Sequence, residues 1–279
     1  MLPSLLSLPK AIVPTTTVLI GLCLATSLSL LPTLAVSANE TRDVRRAGPR
    51  WPIEWSVENL HFHADYDPRP HSKVWEELPT LRQELADQLG IRINNETIHL
   101  ILFAQANAYR GYMAKYFPDV PQRRALFIKR RGPGMVFAYA NHGMDIDLRH
   151  ETTHALLNAS LTYVPLWLDE GLAEYFEIPP GQREQHHEHH KIVRLKTLLH
   201  QVPAITDLEA VEDLSQMRQG HYRDAWSWVH FLLHESDQSR GVLRRFLQDI
   251  QAGIPPGPLS RRMSAELPDA RVRYLQHFR

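Results

Sequence analysis

His150 and His154 stand four residues apart in the run His150-Glu151-Thr152-Thr153-His154. On an α-helix, positions i and i+4 share a face one turn apart, so both imidazoles can reach one metal ion. Glu151 follows the first histidine and is turned to the neighbouring side. There it can hold a water bound to that metal rather than ligate the metal itself. The flanking residues suit a helix: Asp145 or Asp147 can cap its start, and Ile146, Thr153, Leu156 and Leu157 can face a core. Taken alone, the run also fits an ordinary amphipathic helix with two hydrogen-bonded histidines.

The next segment, VPLWLDEGLAEYFE (164–177), changes that balance. A zinc site built from protein needs a third ligand and an open fourth position for water. Glu170 comes sixteen residues after His154. That is enough for the first helix to end, for a turn through Pro165, and for a second helix to pack back. Leu168, Leu172 and Trp167 surround Glu170 and Gly171 permits close approach, a poor setting for a solvated carboxylate, whereas Glu177 suits one. Glu174, one turn on, can accept a hydrogen bond from the distal N–H of a ligand histidine and so fix its tautomer. The sequence holds sixteen His and one Cys, Cys23. Once the N-terminal segment is removed, any metal must rest on histidine and carboxylate.

That segment reads as an export signal. Residues 18–31 form an uncharged apolar run after Lys10, and small residues follow up to Ala38. A membrane-spanning helix wants about 20 apolar residues, and Pro14 and Pro32 bracket this run more tightly. The expected layout is a signal peptide over 1–38, with a retained membrane anchor through 11–36 as the alternative. A polar linker follows over 39–52, then a globular domain over 53–252 and a Pro-rich, basic strap over 253–279. The expected location is the periplasm, cell envelope or exterior, with membrane contact only if the N-terminal segment is retained. Lys and Arg total 31 against 31 Asp and Glu, so bulk charge gives no case for nucleic acid or an anionic membrane.

Hydrophobic patterning predicts mixed strands and helices first and helices afterwards. Residues 55–62 suggest a strand with an irregularity, and Ser72 can cap a helix that Gly90 stops near Leu89. Strands are expected over 97–103, 125–129 and 135–140, with a helix over 104–116. Further helices are expected near 146–160, 167–177, 186–200, 219–235 and 240–251, with one short helix in the final strap. The fold class is α+β.

HETTH followed by PLWLDEGLAEYF resembles the gluzincin branch of metallopeptidases. It is closer still to the compact exported bacterial proteins grouped as peptidase MA-like, over about residues 53–250. The resemblance implies a zincin-like two-lobed fold, with a mixed sheet and active-site helix, then a helical lobe, and the cleft between them. It implies one Zn2+ per chain held by His150, His154 and Glu170, Glu151 as general base, and Glu174 as a carboxylate behind a ligand. Residues 135–141 stand where such proteins place an edge strand that pairs with a peptide substrate; an interior strand is the other reading. The signature by which the large aminopeptidases recognise a free N-terminus is absent from 131–141, so an endopeptidase is favoured over an aminopeptidase.

Charge grows on the carbonyl oxygen in the transition state, so a donor is needed there. Gluzincins take it from the helical lobe, which points to Tyr222 and, in reserve, His221. A Tyr capping the core face of its helix is the competing reading. The cluster His186-His187-Glu188-His189-His190 reads as a solvated polar face, with an accessory metal site as the alternative. The expected activity is zinc-dependent peptide-bond hydrolysis. The alternative is a zinc-stabilised, non-catalytic binding or envelope-assembly protein with the same ligands.

Overall fold

Alternation along Leu60–Ala64, with Leu60, Phe62 and Ala64 buried and His61 and His63 half-buried between them, makes this segment one strand of a two-faced sheet. The computed structural model describes residues 51–183 and 188–279. Five strands form one mixed sheet: β1 (Ile53–Val57), β2 (Leu60–Ala64), β3 (Ile98–Phe103), β4 (Ala125–Ile128) and β5 (Gly134–Tyr139). Their spatial order is β1-β2-β3-β5-β4. The two interior junctions, β2–β3 and β3–β5, are parallel; β1 and β4 pair antiparallel at the two edges. The irregularity expected within 55–62 is a hairpin turn, in which Glu58 takes a positive φ of 51°.

The first half supplies α1 (Val74–Leu89) and α2 (Ala106–Tyr116), the crossovers that parallel strands require. The Ser72 hydroxyl accepts from the Val74 N–H at the start of α1. Gly90 ends α1 in the left-handed region at φ 65°. The remaining helices are α3 (Met144–Ser160), α4 (Leu166–Phe176), α5 (Glu188–Leu198), α6 (Ile205–Glu209), α7 (Gln219–His234), α8 (Asp237–Gln251), α9 (Leu259–Glu266) and α10 (Ala270–His277). The segment after residue 253 thus carries two helices, α9 and α10, rather than a strap with one. Both close on the core through buried Leu259, Met263, Tyr274 and Phe278.

One sheet face, bearing Leu60, Phe62, Leu100 and Val136, joins the main core with α1, α3, α4, α7 and α8. The other face, bearing Ile101, Phe103 and Phe137, meets only Tyr109 and Met113 of α2 among buried residues. Helix α4 is buried almost all round. Gly171 makes that possible: a Cβ there would stand 2.9 Å from the backbone of Ala225 in α7. The architecture is α+β. The apolar run at 18–31 lies outside the described residues, and among the described ones no helix is long and apolar enough to cross a membrane.

Candidate metal centre

Helix α3 carries His150, Glu151 and His154 on a largely buried stretch. Arg149, itself 1% exposed, anchors this helix: it donates to the Phe176 carbonyl at 3.2 Å and meets Glu84 at 3.3 Å and Glu77 at 3.5 Å on α1. The expected caps act differently. The Asn141 side chain accepts from the Gly143 N–H, Asp147 takes Arg124 at 2.8 Å, and Asp145 takes the Ser72 hydroxyl at 2.8 Å. Both acids still lie in the first turn, where the helix dipole favours them. Ile146, expected in the core, is 43% exposed and lines the cleft beside His150.

His150 and His154 turn their Nε2 atoms toward each other at 3.2 Å. Glu170 Oε2 stands 3.7 Å from each of them. These three atoms form a compact group of ligand type. Two nitrogens bound to one zinc in a tetrahedral site lie roughly 3.3 Å apart, given Zn–N of about 2.0–2.1 Å. Glu170 is 4% exposed, and its Oε2 is buried without a hydrogen-bond partner. A buried carboxylate oxygen with no donor is costly unless a cation neutralises it. The donor set therefore fits zinc.

The nitrogens on the far side of each ring are also engaged. His154 Nδ1 stands 2.8 Å from Asp169 Oδ2, and His150 Nδ1 stands 2.9 Å from Glu177 Oε2. Carboxylates there would keep the proton on Nδ1 and leave Nε2 to a metal when one is bound. Burial opposes charge on both rings, but the carboxylates win. Glu170 and Glu177 hold His150 well above the usual histidine range, and Asp169, then Glu170, raises His154 to about 9. Glu170 is held below its ordinary value, because His150 and His154 outweigh its burial.

The hydrogen bond to His150 Nδ1 is made by Glu177, and Glu174 stands in the same group, within 4.8 Å of both. Glu170, Glu174 and Glu177 follow at i, i+4 and i+7, one face of α4 and its C-terminal residue, but His189 of α5 meets Glu174 at 3.2 Å. His189 is buried and His190 half-buried against Trp226, so this part of the histidine cluster is packed rather than solvated. His186 and His187 lie outside the described residues.

Strand 135–141 is not an edge. Its core, Gly134–Tyr139, is hydrogen-bonded on one side to β3 and on the other to β4. The edge is β4, because the 125–128 segment folds back antiparallel and takes the outer place. The Phe127 N–H donates to Glu151 Oε2 at 2.7 Å. A cleft of about 500 Å3 opens beside His150 and Glu151, walled by Arg123, Arg124 and Glu177. A smaller one of about 300 Å3 lies past Phe127, toward Asp169 and Tyr163.

Tyr222 enters from the first turn of α7. Burial and then Glu170 raise its hydroxyl pKa, while Arg123 and His150 oppose the rise. His221 instead serves its own helix: its Nδ1 accepts from the Arg218 N–H at 3.2 Å.

Asp169, Arg123 and the Phe127 N–H have no signal in the sequence, since their place depends on how α4 and β4 meet α3. No family model and no curated protein matches this chain.

Proposed function

We propose that the protein is an exported, zinc-dependent peptidase of gluzincin type with a zincin-like fold. The observation that carries this reading is the buried Oε2 of Glu170, 3.7 Å from each of the paired Nε2 atoms of His150 and His154. Bound there, zinc would polarise a scissile carbonyl and lower the pKa of a water toward about 7.

The residues of the chain would do the rest. Glu151, outside the ligand set, takes the proton of the attacking water and returns it to the leaving amine. Tyr222 donates to the oxygen on which negative charge grows. The outer side of β4, where Glu151 takes the Phe127 N–H, offers its other main-chain groups to an extended peptide, so pairing there is tolerant of sequence. The two clefts at either end of that strand give the peptide's side chains room on both sides of Glu151. Export rests on the apolar run at 18–31 and the small residues ending at Ala38.

The test pairs metal content with turnover on a peptide library. Wild type is expected to hold zinc and cleave; Glu151→Gln is expected to hold zinc and not cleave. Zinc in both with cleavage in neither would favour the non-catalytic binding protein instead.

A further inference from the structure

We propose that His63 and His99, with His61 beside them, form a second metal site, on the sheet face turned away from α3, for a late divalent transition ion such as Cu2+, Ni2+ or Zn2+. The inference does not depend on the hydrolytic reading. His61 and His63 lie two apart on β2, so both side chains project to one face. The register pairs His61 with His99 on β3. The same strands send Leu60, Phe62 and Leu100 to the opposite face, into the core shared with α3. The three imidazoles are thus separated from the His150 centre by the thickness of the sheet.

The local geometry is that of a ligand pair with its orienting carboxylate. His63 Nε2 and His99 Nδ1 stand 2.9 Å apart. Two nitrogens each about 2.0–2.1 Å from one ion lie roughly 2.9–3.4 Å apart, from octahedral to tetrahedral angles. Behind His63, Glu54 Oε1 lies 2.9 Å from Nδ1, and the β1–β2 register pairs these two residues directly. With the proton held on Nδ1 by that carboxylate, Nε2 accepts from the His99 Nδ1–H, and a bound metal would take the place of that shared proton, the arrangement that orients metal-bound histidine. The His61 ring lies beside the pair, 5.6 Å from that of His99, centroid to centroid. A cavity of about 270 Å3, walled by Trp51, Tyr112 and Met135, leaves the remaining coordination positions open. Imidazole donors in this number suit copper, nickel and zinc over magnesium or calcium.

The experiment titrates the full-length His150→Ala variant with Cu2+ and then with Zn2+, by calorimetry and, for copper, electron paramagnetic resonance. Adding His63→Gln or His99→Gln is expected to remove one ion per chain relative to this parent, and to strip imidazole nitrogen couplings from the copper spectrum. Glu54→Gln is expected to weaken that ion 10–100-fold without abolishing it. Circular dichroism verifies that each variant keeps its fold. Exposed His142→Gln is the control for surface binding. An unchanged ion count in the His63 and His99 variants would overturn the proposal, as would an equal loss in the His142 control.

Discussion

The backbone N–H of Phe127 donates to Glu151 Oε2 across 2.7 Å, tying the edge strand to the carboxylate beside the histidine pair. The bond fixes one oxygen of Glu151, whose side chain lines the cleft beside His150. If Glu151 is the base, Glu151→Gln keeps its shape and loses its proton-accepting charge. Peptide turnover should then fall by roughly 10²–10⁴-fold, the usual worth of general acid–base catalysis. Metal content should be unchanged. Turnover within tenfold of wild type would remove Glu151 from the role.

The carboxylates behind the rings give a graded prediction. Asp169→Asn and Glu177→Gln each remove the acceptor that orients a ligand histidine, so zinc affinity should fall 10–100-fold in each. Glu174→Gln should change it less, because Glu177 holds His150 Nδ1 at 2.9 Å while Glu174 pairs with His189 at 3.2 Å. Competition against a chromophoric chelator measures all three. A larger effect at Glu174 than at Glu177 would reverse the assignment.

Much of this centre was legible in the sequence, and the reasons are local. The ligand spacing is a property of one helix, and Gly171 announces close packing beside Glu170 without any knowledge of Ala225. The Gly90 stop and strand β3 are likewise set by nearby residues. What failed to be legible depends on meetings between distant segments. Glu174 and Glu177 share a helical face, and the approach of His189 to Glu174 from α5 has no trace in that spacing. Strand 134–139 and strand 125–128 look alike in hydrophobicity; which lies outermost is fixed by the antiparallel return of the second onto the first. The helices at 259–266 and 270–277 carry short apolar sets that gain meaning only against α7 and α8.

Gly171 makes a stability prediction. In Gly171→Ala the new methyl meets the Ala225 carbonyl at 2.9 Å, and both are backbone or close to it. Relief requires α4 and α7 to part, at about 1–3 kcal/mol of stability. Denaturant unfolding measures this directly. Glu170 moves with α4, so zinc affinity should also fall. A variant as stable as wild type would mean that the two helices separate freely.

Acid should weaken the fold through His277. Burial, reinforced by His234, lowers its pKa to about 4, and its Nε2 lies 2.8 Å from His230 Nδ1. Glu235 opposes the shift and His190 adds to it. An unfolded histidine titrates near 6.5. Between about 6.5 and about 4 the unfolded chain therefore binds more protons at this position, so stability is lost as pH falls through that window. His277→Gln should flatten this part of the curve of urea midpoint against pH. Equal slopes for variant and wild type would show that the histidine does not contribute.

The most direct test of the central claim is elemental zinc in the full chain, purified and dialysed against a weak chelator, beside His150→Ala and Glu170→Gln. Wild type is expected to hold one zinc tightly, with that ion lost in His150→Ala and held far more weakly in Glu170→Gln. Wild type that holds no zinc when it is supplied at neutral pH, or zinc that survives His150→Ala undiminished, would contradict it.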